Sequence, residues 1–160
     1  MKLTTLGCWG AYPYKDGGTT SYLVTSEDGF QLLMDCGSRA VTELEKEISP
    51  LDLDAVIISH YHPDHVADLG VLRHYFQLYP KHLWEPKILP IYGHTEDEQE
   101  FAKLTLDGVS QGKAYDVNGV EKIGPFDITF IKTVHPVPCY AFRIVEHATG
   151  QTLVFTGDTG

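Results

Sequence analysis

Apolar residues along this chain follow two periods. Lys2 to Cys8 reads as a first strand, and Tyr22 to Thr25 and Phe30 to Met34 read as two more around a Glu27-Asp28-Gly29 turn, a hairpin signal. Between them, Gly10 to Thr20 holds Gly10, Pro13, Gly17 and Gly18 and predicts a loop. Ala55-Val56-Ile57-Ile58-Ser59 is short, apolar and rich in β-branched residues, as in a buried strand. Val66, Leu69, Leu72 and Phe76 then recur at helical spacing. Upstream, Val41, Leu44 and Ile48 predict a short helix, with Ser38 as its cap and Pro50 closing it.

The second half repeats the alternation. Ile88 to Tyr92 is a short strand, and Thr95 with Glu98 reads as a capping box that opens a helix with Phe101, Leu104 and Gly108 on one side. After an Asn118-Gly119 turn, Phe126 to Thr133 alternates as a half-buried strand. Tyr140 to Val145 and Leu153 to Thr156 follow, separated by an Ala148-Thr149-Gly150 turn. Strands, then β-α-β-α, then strands again predict a layered α/β (α+β) domain over residues 1–160.

Composition narrows this picture. With 160 residues, 42% hydrophobic and 21% charged, the chain suits one globular domain with a sizeable core. No apolar run approaches the roughly 18 residues of a membrane helix. The cysteines, Cys8, Cys36 and Cys139, are odd in number and far apart, so a disulfide framework is not predicted and a cytoplasmic protein is. Cys36 follows Asp35 at a strand end and is read as a small apolar packing residue in preference to a metal ligand. A net charge of −10 argues against a broad electrostatic grip on nucleic acid.

The chemistry concentrates in His60-Tyr61-His62-Pro63-Asp64-His65. Imidazole and carboxylate are ligands that zinc and similar metals prefer. The stretch lies between the predicted buried strand and the helix after it, a usual place for chemistry on a rigid scaffold. A helix start that merely happens to be rich in histidine is the plainer reading; a chance match is on the order of one in a thousand for a chain of this length. Two later residues have suitable chemistry and setting. His135 ends Phe130-Ile131-Lys132-Thr133-Val134, and Asp158 follows Leu153-Val154-Phe155-Thr156-Gly157. His74, His82, His94 and His147 fit no ligand pattern and read as surface or packing residues, with His94 a possible lining of the cleft.

This His-x-His-x-Asp-His pattern, at the end of a strand, resembles the metallo-β-lactamase fold superfamily. The resemblance implies an αββα four-layer sandwich. It implies a dinuclear site with two divalent metal ions, zinc above manganese or iron, and a bridging hydroxide. His60, His62 and His135 would serve metal one, Asp64 and His65 metal two, and Asp158 would bridge. Asp64 and Asp158 would also orient the nucleophile. Asp35, at the end of Leu32-Leu33-Met34, would support the ligand loop by hydrogen bonds, with a simple turn-forming aspartate as the alternative.

Within the superfamily the chain looks most like the ribonuclease-Z-like and phosphodiesterase branch, on the opening Leu6-Gly7-Cys8, the Ala67-Asp68-Leu69 after the motif, and Pro138 to Ile144 after His135. The branch implies a hydrolase of small phosphodiesters or short nucleic acids. The long tRNA-gripping arm has no room between His135 and Asp158, and Lys81 and Lys87 stand apart. An acyl hydrolase (lactonase or thioesterase) on the same metals, or an inactive metal-binding fragment, are the alternatives. The family's domain continues past the bridging aspartate and adds a last histidine to metal two. The sequence therefore reads as a fragment with its C-terminal part missing, in preference to a natural short protein. An uncovered apolar sheet face would then drive homo-oligomerisation.

Overall fold

The computed structural model describes residues 1–160. Eleven strands form two sheets. The larger has the order β2-β1-β3-β4-β5-β6-β7, from β1 (Lys2–Trp9), β2 (Gly18–Thr19), β3 (Ser21–Thr25), β4 (Gln31–Met34), β5 (Ala55–Ile57), β6 (Leu89–Gly93) and β7 (Ser110–Ala114). β3 pairs antiparallel with β1 and β4, whereas β4, β5, β6 and β7 run parallel. The smaller sheet is an antiparallel meander of β8 (Glu121–Ile123), β9 (Phe126–Lys132), β10 (Tyr140–Glu146) and β11 (Thr152–Phe155), in the order β11-β10-β9-β8.

The period-2 alternation assigns side chains to two cores. Leu33, Val56 and Ile58 meet helices α1 (Ala40–Leu44) and α3 (Leu69–Leu78) through Val41, Leu44, Leu69, Leu72 and Phe76. Leu32, Met34, Ala55 and Ile57 face the other way, onto Phe126, Ile128, Phe142 and Ile144 of the smaller sheet. β4 and β5 are thus covered on both faces, which is why they read as continuous apolar runs. The layers run helices, sheet, sheet, three of the four layers of the αββα sandwich expected from the resemblance. The outer face of the smaller sheet exposes Ile131 and Val154. No helix is long and apolar enough to cross a membrane.

Four local expectations need correction. Ser38 does not cap α1; Arg39 holds the cap position in a left-handed conformation, and the free Val41 N–H is taken by the Asp68 carboxylate at 3.1 Å. The hydroxyl of Ser38 contacts Thr19 instead. The helix after the histidine motif is broken into α2 (Pro63–Val66) and α3, with Asp68 between them. α4 (Glu98–Ala102) is capped by Asp97, whose side chain accepts from Glu100 N–H at 3.0 Å, so the cap lies two residues later than Thr95, and the helix ends before Leu104 and Gly108. Finally, β2, β7 and β8 lie in segments without an apolar alternation. All three are short edge strands held by backbone pairing, where polar residues are favoured.

At the end of the sheets away from the histidines, Glu146 joins them. It is fully buried and accepts from the Met1 ammonium at 3.1 Å, from Glu27 N–H at 2.7 Å and from the Thr149 hydroxyl. The Thr149 hydroxyl, then the Glu27 N–H and the terminal ammonium, hold its pKa below the ordinary 4.5. A depressed carboxyl pKa contributes stability that is complete above the unfolded-state value and is lost as pH falls through the folded-state value. Glu146→Gln is therefore expected to lower the urea midpoint at pH 7, with the gap to wild type closing as pH falls below the ordinary carboxyl range. A gap that persists undiminished in acid would show that packing, not ionisation, is at stake.

Candidate metal centre

β4 and β5 end side by side, and the site is built where they stop. Asp35 follows β4 and is wholly buried. Its N–H donates to Ile57 C=O at 2.9 Å and its own C=O accepts from the Ser21 hydroxyl at 2.9 Å. These bonds hold it at φ +54°, where a non-glycine residue is uncommon. The turn this makes aims the carboxylate across β5. Oδ1 accepts from Ser59 N–H at 2.7 Å, and Oδ2 accepts from the Ser59 hydroxyl and from His65 Nδ1, each at 2.7 Å. Gly37 lets the two loops meet: a Cβ there would lie 2.2 Å from the Asp64 carbonyl oxygen.

These bonds fix the imidazoles. The Ser59 hydroxyl gives its proton to Asp35, so its oxygen accepts from His60 Nδ1, 3.1 Å away. His60 Nε2 then presents a lone pair. Burial and the neighbouring His65, His62, His135 and His94 push the His60 pKa down to about 2, so this ring is neutral. In the same way His65 donates Nδ1–H to Asp35 and presents Nε2. Burial lowers the His65 pKa, but the bond to Asp35 and the charges of Asp35, Asp158 and Asp64 outweigh it and raise the pKa overall.

Two groups of ligand atoms converge. Nitrogens of His60, His62 and His135 lie within 4.8 Å of one another, as do those of His60 and His65 with an oxygen of Asp158. His62 Nδ1 sits 3.1 Å from His60 Nε2 and 3.0 Å from His135 Nε2. One proton on His62 cannot satisfy both neighbours, whereas a cation among the three can. His65 Nε2 is buried without a hydrogen-bond partner, 3.3 Å from Asp158 Oδ1 and 3.5 Å from Asp64 Oδ2. A buried, unpaired nitrogen facing two carboxylates suits a cation, so this donor set fits one or two divalent metals. Asp64 falls outside both groups; its Oδ2 accepts from Ala11 N–H at 2.8 Å. Asp158 stands at the mouth with its side chain 40% exposed.

Residues that sequence reasoning passed over also contribute. Ser59 relays between Asp35 and His60; its place directly before the motif was the available signal. Cys139 lies fully buried with Sγ 3.5 Å from His60 Nδ1, and nothing in its spacing marks this. Cys36 packs in the helix-side core, as predicted. His94 follows β6 and is 1% exposed, packed against Tyr61 at 4.6 Å between ring centroids. His74, His82 and His147 are exposed.

A family model described as the metallo-beta-lactamase superfamily matches residues 14–160. The chain is 43% identical over 159 residues to the probable metallo-hydrolase YhfI of Bacillus subtilis, covering 99% of this chain and 64% of that protein. It is 29% identical over 140 residues to ribonuclease Z of Methanopyrus kandleri, covering 87% and 48%. The crystal structure of the metallo-beta-lactamase fold protein YhfI from Bacillus subtilis superposes with a TM-score of 0.88 over 98% of this chain and 62% of that one. The chain thus spans between about half and just under two thirds of the length of these relatives.

Removing the Asp35 carboxylate strands three buried donors. Asp35→Ala is expected to cost about 3–5 kcal/mol of stability, measured by urea unfolding. Asp35→Asn keeps the volume but turns an acceptor into a donor; it is expected to weaken zinc binding about 10–100-fold in a chelator competition. Wild-type zinc affinity in Asp35→Asn would remove Asp35 from the centre's support.

Proposed function

The chain belongs to the metallo-beta-lactamase superfamily, and from that premise we propose that it is a metal-dependent hydrolase of phosphodiesters with a dinuclear, zinc-type centre. The observation that carries this is the convergence of two donor groups on a shared His60, with the buried, unpaired His65 Nε2 facing Asp158 and Asp64. His60, His62 and His135 would hold one ion; His65, Asp64 and Asp158 would hold the other. Bound divalent ions would supply Lewis acidity and bring the activation of water to neutral pH.

The remaining work falls to the chain's own side chains. Asp35 and Ser59 hold His65 and His60 in the tautomers that turn Nε2 inward. Asp158, side chain 40% exposed, and Asp64, held by the Ala11 N–H, would orient an attacking water and accept its proton. His135 and Asp158 lie together with Thr156 and Thr159 around a polar depression.

A phosphodiester is favoured over an acyl ester because ribonuclease Z of Methanopyrus kandleri, by its name a nuclease, is among the relatives. A tRNA is disfavoured, since the stretch between His135 and Asp158 is taken up by the hairpin of β10 and β11 and leaves no room for a long arm there. Free thiols at Cys8, Cys36 and Cys139 accord with a cytoplasmic setting.

The test is metal content by mass spectrometry together with hydrolysis of bis-p-nitrophenyl phosphate, a thioester and a lactone. We expect about two zinc ions per chain and chelator-sensitive turnover of the phosphodiester. His135→Ala should lower kcat/KM by at least about 100-fold. Turnover of the thioester or lactone alone would replace the reading with an acyl hydrolase, and metal-free protein without turnover would leave no hydrolase.

A further inference from the structure

The stretch from the last residue of β1 towards β2 carries a feature that the hydrolytic reading leaves unused. Within six residues it exposes three large aromatic side chains: Trp9 at 45%, Tyr12 at 68% and Tyr14 at 48%. A single exposed aromatic needs no explanation, but a group of them does. This group adjoins the candidate centre. Ala11 N–H donates to Asp64 Oδ2 at 2.8 Å, and Tyr12 is the next residue, about 3.8 Å on between Cα atoms.

The loop is held in shape. Ala11 and Lys15, which flank the Tyr12–Tyr14 segment, adopt φ of +61° and +52°, a conformation that non-glycine residues seldom take. Gly17 N–H donates to Tyr14 C=O at 3.0 Å. The Trp9 indole is seated on Gly17, where a Cβ would come within 2.3 Å of Nε1. Trp9 and Tyr14 pack at 5.1 Å between ring centroids, and Lys15 Nζ lies 5.2 Å from the centre of the Tyr14 ring. Unusual backbone that presents apolar rings beside a reactive carboxylate is a feature to explain by function.

We propose that Trp9, Tyr12 and Tyr14 form a platform that stacks the planar base of a nucleotide substrate whose phosphodiester reaches the metal centre, with Lys15 adding a positive charge beside it. This rests on the phosphodiester reading given above. Aromatic rings offer a stacking face to any base, while a net charge of −10 opposes long polyanions, so the fit is to a nucleotide-sized ester. A group stacked one residue from Ala11 needs only a short link to the atom attacked.

The experiment compares two esters with the same leaving group on the metal-loaded, full-length protein: thymidine 5′-(p-nitrophenyl phosphate) and methyl p-nitrophenyl phosphate. We expect the thymidine ester to be preferred in kcat/KM. Tyr12→Ala and Tyr14→Ala should each lower that preference about tenfold, the phenylalanine variants should keep it, and the leucine variants should not. Calorimetry with thymidine 5′-monophosphate and with ribose 5-phosphate gives a second readout without turnover, with tighter binding of the nucleotide lost in the alanine variants. An unchanged preference in the alanine variants overturns the platform and leaves the hydrolase standing. If neither ester is cleaved, the phosphodiester reading falls. Calorimetry then decides the platform alone, and equal binding of the two ligands overturns it. That last result would leave the aromatic group as a protein-contact surface.

Discussion

One buried carboxylate ties the site together. Asp35 joins the end of β4 to the end of β5 through Ser59 and to α2 through His65, with all three donors at 2.7 Å. Its backbone is held at positive φ, an unfavourable conformation for aspartate that persists only where neighbours over-determine it. Here they do, through Ile57 on one side and Ser21 on the other. Without this link, the histidines would sit on a loop with no fixed tautomers. With it, His60 and His65 are both turned with Nε2 towards the centre.

That link needs a stiff base, which the two cores provide. β5 is three residues long, yet Ala55, Val56 and Ile57 are all fully buried, and so is Ile58 beyond it. Side chains on both faces of the strand pack, so its C-terminal end can move only if both cores rearrange. His60 leaves the strand at that point. β10 comes from the other sheet, and Tyr140 N–H donates to Ser59 C=O at 3.2 Å, which brings the His135 loop against the same strand end. The candidate centre therefore lies where the two sheets meet, and each sheet contributes donor side chains to it.

Much of this was legible in the sequence, and the limits have physical causes. The motif from His60 to His65 carries its own chemistry, and the buried strand before it announces itself by composition. His135 and Asp158 could be picked out because each follows an apolar run. Asp35 was recognisable by resemblance alone, since nothing local shows that its carboxylate turns back onto β5. Ser59 was marked only by its place directly before the motif, and Cys139 was invisible because its contact with His60 joins segments far apart in sequence. The edge strands β2, β7 and β8 were missed for a related reason: backbone pairing holds them, and the apolar period that reveals a strand is a signature of burial. The cap of α1 is of the same kind, as Asp68 supplies from another helix what Ser38 was expected to supply locally.

The two halves of the centre differ in character. His60, His62 and His135 offer nitrogens alone, and His60 is backed by neutral partners, the Ser59 hydroxyl and the Cys139 thiol. His65 is backed directly by a carboxylate and faces two more. Negative charge thus gathers on one side, where a cation is most needed to offset it, and that side also carries Asp158 at the exposed mouth. The same side is where the Ala11 N–H grips Asp64. A backbone donor on a carboxylate withdraws part of its charge and fixes its orientation. That bond ties the loop from Trp9 to Tyr14 to the carboxylate-rich half of the centre.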